Sequence, residues 1–191
     1  MADIKGSRTE RNLLAAFAGE CQASVRYAFY AKKAKKDGYE QICAVFQETS
    51  EQERAHARRM YKLMGGLAAE VAMPLHAHDV GTTLENLTLA VAGETRVGYE
   101  TYPAYAAEAR AEGFAEAALV FENIAKAEQF HCARYKALAE NIESGRVFAR
   151  EEPVTWICRH CAWTYVGKNA PERCPACDHP KAHFEVARSG W

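Results

Sequence analysis

Two segments of this chain, Glu53-Arg54-Ala55-His56 and Glu128-Gln129-Phe130-His131, carry the same Glu-x-x-His pattern. Residues three apart lie on one face of a helix, so each segment can point a carboxylate and an imidazole in the same direction. Single glutamates at Glu20 and Glu94 precede them by 33 residues (20 to 53) and 34 residues (94 to 128). One Glu from each of two helices plus Glu-x-x-His from each of two others is the ligand recipe of a di-iron or di-manganese centre inside a helical bundle. Carboxylates can bridge two cations and imidazole adds a nitrogen to each. Four glutamates neutralise two divalent ions, which lets such a pair sit in a low-dielectric interior. Tyr27 follows Glu20 by seven residues and Tyr102 follows Glu94 by eight, so both could face the site two turns along. Cys21 and Cys132 adjoin ligand positions but are rotated about 100° from them, and read as small buried hydrophobes.

A second constellation lies near the C-terminus. Cys158 and Cys161, then Cys174 and Cys177, form two Cys-x-x-Cys knuckles spaced for one tetrahedral metal site. Spacing alone leaves iron and zinc open, because both accept four thiolates. Trp156, Trp163 and Tyr165 surround the knuckles, and His160 and His179 are neighbours of the site, not ligands.

The elements that must position these groups are helical from about residue 7 to residue 145. Ser7-Arg8-Thr9-Glu10 and Thr82-Thr83-Leu84-Glu85 are capping boxes that open the first and third helices. Asp37-Gly38, Gly65-Gly66, Gly113 and Ser144-Gly145 mark the ends. A long connection over 66–82 contains Pro74, with His76 and His78 read as solvated. Pro103 lies inside the third helix and is expected to kink it. Two short turns and one long crossover predict a ferritin-like four-helix bundle. The two hairpins also repeat: Gly38 through His56 matches Gly113 through His131 at an offset of 75, and Gly19-Glu20 matches Gly93-Glu94 at 74. A pseudo-two-fold axis is therefore expected at the metal site.

This organisation predicts a bundle over 1–146, a linker over 147–153 and a small metal-bound β/loop domain over 154–191. A segment of under about 40 residues needs a metal, disulfides or a partner to hold a fold. Of 191 residues 49% are hydrophobic, and the formal net charge is -1. No basic stripe appears, which excludes nucleic acid as the main partner. No apolar run is long enough for a membrane span or a signal peptide. Seven cysteines in this arrangement fit a reducing, cytoplasmic location.

Together the ligand pattern, the run Gly6-Ser7-Arg8-Thr9-Glu10 and the closing Cys-Pro-Ala-Cys-x-His-Pro-Lys-Ala-His-Phe-Glu at 174–185 make the chain resemble the rubrerythrin family over nearly its full length. The resemblance implies a ferritin-like di-iron domain followed by a rubredoxin-like domain. It implies a non-haem peroxidase that reduces hydrogen peroxide to water in oxidative-stress defence. Electrons would come from NAD(P)H through a reductase, rubredoxin or both. It further implies three irons per chain, with zinc or manganese as possible replacements, and a head-to-tail homodimer. The di-iron ligands would be Glu20, Glu53, His56, Glu94, Glu128 and His131, with Tyr27 and Tyr102 beside them. The third iron would be held by Cys158, Cys161, Cys174 and Cys177, which tips that site from zinc toward iron.

Two departures stand out. Val97 occupies a position where the family has a further glutamate ligand, and Glu100 is a poor substitute. The remaining four Glu and two His are similar to the ferroxidase centre of bacterioferritin, so ferroxidase activity is an alternative. A non-enzymatic metal sensor with structural zinc is a second. Ala162 replaces a glycine expected in a left-handed turn, and Asp178 stands at the matching place in the other knuckle.

Overall fold

The computed structural model describes residues 4–66 and 78–188. Helices α1 (Arg8–Lys36) and α2 (Glu40–Met64) form one hairpin. The second consists of α3 (Thr83–Arg96), a π-helical turn (Val97–Thr101), α4 (Tyr102–Ala111) and α5 (Ala115–Glu143). Ser7 caps α1 through its side chain, and Thr82 with Glu85 forms the complete capping box of α3. Pro74 and His76 lie outside the described residues, and His78 is exposed.

The third helix is not simply kinked at Pro103. Its irregularity is the π turn just upstream, where the Tyr102 N–H bonds to the Val97 carbonyl five residues back. Proline has no N–H to continue the α-helical ladder at position 103. A π turn inserts one residue into a helix. That extra residue absorbs the difference between the seven-residue spacing Glu20–Tyr27 and the eight-residue spacing Glu94–Tyr102.

The repeat extends to the ends of the helices. Asp37 closes α1 and accepts hydrogen bonds from the N–H and hydroxyl of Thr83, at 3.1 and 2.7 Å. Glu112 closes α4 and accepts from the N–H and hydroxyl of Thr9, at 2.9 and 2.7 Å. Each hairpin's turn thus caps the first helix of the other, satisfying amide groups that a helix start leaves unpaired. Two apolar clusters fill the bundle, one around Leu13, Met60 and Phe121 and the other around Tyr30, Phe46 and Tyr135. Buried polar residues lie between them.

The C-terminal part is a three-stranded antiparallel sheet in the order β2-β1-β3, with β1 at Ala149–Cys158, β2 at Thr164–Asn169 and β3 at Phe184–Val186. β1 begins inside the stretch expected to be a linker, because Ala149 already pairs with Asn169. Pairing then breaks until Val154, where Pro153 cannot donate to the ladder. Trp156 and Phe184 form the small core with Cys158 and Cys174. This sheet rests on the α1–α2 turn: Tyr39 stacks on Phe148 with centroids 6.2 Å apart, and His183 lies 3.8 Å from Glu40.

Candidate metal centres

The bundle brings all six predicted ligands together as two overlapping sets. Donor atoms of Glu20, Glu53, His56 and Glu128 lie within 4.8 Å of one another, as do those of Glu53, Glu94, Glu128 and His131. Glu53 and Glu128 belong to both sets, the positions that bridging carboxylates would take. Nδ1 of His56 is 3.1 Å from Glu53 and 2.9 Å from Glu128. Nδ1 of His131 is 3.2 Å from Glu53 and 2.9 Å from Glu128. All four glutamates are buried.

These residues fit a pair of cations. Oε1 of Glu53 and Oε1 of Glu128 are buried near imidazole nitrogens but outside hydrogen-bonding geometry, so each has acceptor capacity left for a metal. Burying four carboxylates without counter-charge is costly, and protons compensate. Burial, reinforced by the neighbouring carboxylates, pushes Glu20 and Glu94 well above the carboxylate range. Burial also pushes Glu53 up, but the adjacent imidazoles outweigh it and hold it at about 2. Burial disfavours the His56 cation, yet Glu128 and Glu53 raise it to about 9. Two cations would replace these protons, so metal binding must weaken as the medium becomes acidic.

The tyrosines cross the pseudo-two-fold axis. Tyr27 on α1 donates to Glu94 on α3, and Tyr102 on α4 donates to Glu20 on α1. Burial and the facing carboxylate raise both phenols well above their usual range, so each keeps its proton. Gln52 was not singled out by the sequence pattern. Its Oε1 lies 2.9 Å from Nε2 of His131, fixing that ring from behind.

Val97 lines a cavity of about 110 Å³ that reaches Glu20, Glu53, Glu94 and Glu128. Glu100 is exposed and takes no part. Gly98, next to Val97, lets the π turn approach α5 closely: a Cβ there would meet Cβ of Glu128 at 3.0 Å and the Ala125 carbonyl at 3.1 Å. Cys132 is buried as expected, with Sγ 3.2 Å from the Thr95 hydroxyl. Cys21 is exposed, contrary to expectation, because the rotation that takes it off the ligand face takes it out of the bundle.

The four knuckle cysteines also converge, with Sγ atoms within 4.8 Å of one another. Cys158 and Cys177 are 3.8 Å apart, and Cys161 and Cys174 are 3.6 Å apart. A tetrahedral site with metal–sulfur bonds of about 2.3 Å requires sulfurs about 3.8 Å apart. The spacing is too long for a disulfide, which needs about 2.05 Å. Ala162 and Asp178 both adopt left-handed φ, +63° and +58°, as the knuckle geometry demands. His160, His179 and His183 pack together beside the site, with the first two rings stacked at 3.7 Å.

Residues 11–139 match the family described as Rubrerythrin, and residues 156–185 match the Rubrerythrin, rubredoxin-like domain. A rubrerythrin from Porphyromonas gingivalis is 49% identical over 98% of this chain and 94% of its own length. One from Nitratidesulfovibrio vulgaris is 48% identical over the full length of both. A solved nigerythrin in a mixed-valence state covers 98% of this chain and 91% of its own, at 31% identity and a TM-score of 0.63. With these likenesses along both domains and two converged ligand clusters, the chain belongs to the rubrerythrin family of di-iron and rubredoxin-like proteins.

Proposed function

We propose that this protein is a non-haem di-iron peroxidase that reduces hydrogen peroxide to water. The carrying observation is the pair of ligand sets that share Glu53 and Glu128, in the same chain as a four-cysteine site. When bound, an iron pair supplies two electrons and open positions for an oxygen ligand. The chain's own residues do the rest. Glu20, Glu53, His56, Glu94, Glu128 and His131 would hold the pair. Tyr27 and Tyr102 keep protons at their hydroxyls and aim them at Glu94 and Glu20. Gly19, Gly93 and Val97 wall the small cavity beside the carboxylates without filling it.

The four cysteines would hold the third iron and pass electrons inward from rubredoxin, an NAD(P)H-dependent reductase or both. Within one chain this route is long. The cysteine domain contacts α2 at Glu40 through His183, thirteen residues from Glu53, or about 20 Å along the helix at 1.5 Å per residue. That span supports a head-to-tail homodimer in which the cysteine site serves the partner's bundle. Among the described residues no helix is long and apolar enough to cross a membrane, in keeping with the cytoplasmic location we assign.

The test is spectroscopic. Iron-loaded protein should be red, bleach with NADH and a rubredoxin reductase, and recolour on adding hydrogen peroxide. A colourless, zinc-bound protein that ignores peroxide would refute the assignment. Val97 favours one competing reading, a ferroxidase, because the remaining ligands are four Glu and two His. Accumulation of ferric iron beyond two ions per bundle would decide for it. Val97→Glu adds an anionic ligand that stabilises the ferric state, so redox titration should give the variant a lower di-iron potential than the native chain.

A further inference from the structure

A second chamber lies outside the metal cradle, and reduction of hydrogen peroxide has no use for it. Its volume is about 210 Å³, between Arg26 and Tyr30 on α1, Leu89, Ala92, Gly93 and Arg96 on α3, and the exposed His78 that precedes α3. Arg26, Gly93 and Arg96 also line the inner cavity beside the four glutamates. The two spaces are therefore consecutive, with Arg26, Gly93 and Arg96 shared between them.

The chemistry of the outer chamber is that of an anion site with an apolar wall. Arg26 is half-buried and Arg96 exposed, and neither forms an ion pair with a described residue. Tyr30 is 1% exposed, yet its hydroxyl has no hydrogen-bond partner among the described residues. A buried phenol usually finds one, so this hydroxyl is a donor awaiting an acceptor. Burial raises the Tyr30 phenol while the Arg26 charge pulls it down, so the guanidinium acts on that hydroxyl. Leu89 and Ala92 offer carbon surface beside these donors. Two guanidiniums and a phenol match a carboxylate, which accepts bidentate and single hydrogen bonds together. Both chambers together reach only the low end of ligand clefts, about 300 Å³, so the occupant is small. Val97 helps at the inner end, since a glutamate there would add another anion along the path.

We propose that the outer chamber is a carboxylate subsite, and that the chain's substrates include small organic hydroperoxides bearing a carboxylate. The carboxylate would rest on Arg26, Arg96 and Tyr30 while the hydroperoxide group enters the inner cavity. This rests on the peroxidase reading and extends it. The O–O bond breaks and ROOH + 2e⁻ + 2H⁺ gives ROH + H₂O. The electrons come from the rubredoxin-class donor and the protons from solvent.

The probes are cumene hydroperoxide, its 4-carboxylate derivative, and the inert anion 4-isopropylbenzoate. With iron-loaded protein at low salt, kcat/KM should favour the carboxylated hydroperoxide over the neutral one by about tenfold or more, as expected of a charge-assisted pair. In Arg26→Gln/Arg96→Gln the ratio should fall to about one, and Tyr30→Phe should lower it partway. In a separate titration followed by NMR, 4-isopropylbenzoate should shift the Tyr30 ring signals of the native protein but not those of the double variant. Turnover of hydrogen peroxide with no carboxylate preference overturns the subsite and leaves the peroxidase reading intact. Absence of all peroxide turnover overturns that reading, and the NMR titration then decides the subsite alone: no shift rejects it.

Discussion

On the His131 side of the bundle the imidazole is held at both nitrogens, Nδ1 by Glu53 and Glu128 and Nε2 by Gln52 at 2.9 Å. On the His56 side Nδ1 faces the same two carboxylates, but Nε2 has no partner among the described residues. The His131 side chain is 3% exposed and that of His56 is 15%. The repeat explains the difference. Position 52 plus the offset of 75 is 127, where this chain has Ala127. Alanine cannot reach behind an imidazole. Two nearly identical cradles thus differ in one supporting amide, which makes the His131 cradle the rigid one and the His56 cradle the one able to yield.

The shared carboxylates offer the largest test. Glu53→Ala removes a donor from both ligand sets, so it should empty the bundle of both cations while the four cysteines keep theirs. Metal analysis against the red chromophore checks this, and retention of one bundle ion would show that the sets are independent. Gln52→Ala should act on one side only. Loss of a hydrogen bond behind a metal-bound histidine typically costs 10- to 100-fold in affinity, so a competition titration should show one weakened site. Ala127→Gln should tighten the other by giving His56 the missing partner. Equal weakening of both sites by Gln52→Ala would remove the distinction between the two cradles.

Much of this cradle was legible in the amino-acid sequence because its logic runs along single helices. The i, i+3 spacing of Glu53 with His56 places both on one face, and the offset of 75 pairs them with Glu128 and His131. Even the π turn left a trace, in the eight residues from Glu94 to Tyr102 against seven from Glu20 to Tyr27. What stayed hidden depends on contacts between helices. Gln52 reaches His131 across the gap from α2 to α5, and no periodicity encodes that reach. The crossed caps of Asp37 on Thr83 and Glu112 on Thr9 are hidden for the same reason. Cys21 was misplaced because a helix face can be ranked relative to its neighbours, but its distance from the core cannot.

The halves also differ where helices touch. Ser24 on α1 bonds the Ser50 carbonyl at 2.9 Å, while its counterpart on the third helix is Gly98, packed against α5. Gly98→Ala would press a methyl onto the backbone that carries Glu128, and overpacking of this kind costs about 1–3 kcal/mol. Urea denaturation of the metal-free protein should show a lowered midpoint. An unchanged midpoint would mean that the π turn can move away from α5, and that the glycine is not what lets the two approach.

The smallest effect is expected at the crossed caps, where the halves agree. The Thr9 hydroxyl and the Thr9 and Arg8 amides hold Glu112 at about 2, below its ordinary 4.5. Burial pushes Asp37 up, but hydrogen bonds from Lys33 and Thr83, with the Lys33 charge, together outweigh it and hold the carboxyl below its ordinary value. A carboxylate whose folded pKa is depressed contributes stability above its unfolded pKa and loses that contribution as pH falls toward the folded value. Glu112→Gln should therefore melt below the native protein at pH 7. The gap should close as pH drops from about 4.5 toward 2, because the native side chain then becomes neutral as well. Asp37→Asn should behave alike, and added salt should shrink both gaps, since these groups sit near the surface. A gap that persists undiminished at low pH would assign the caps to hydrogen bonding by the neutral group, and would remove charge from the device that ties each hairpin to the other.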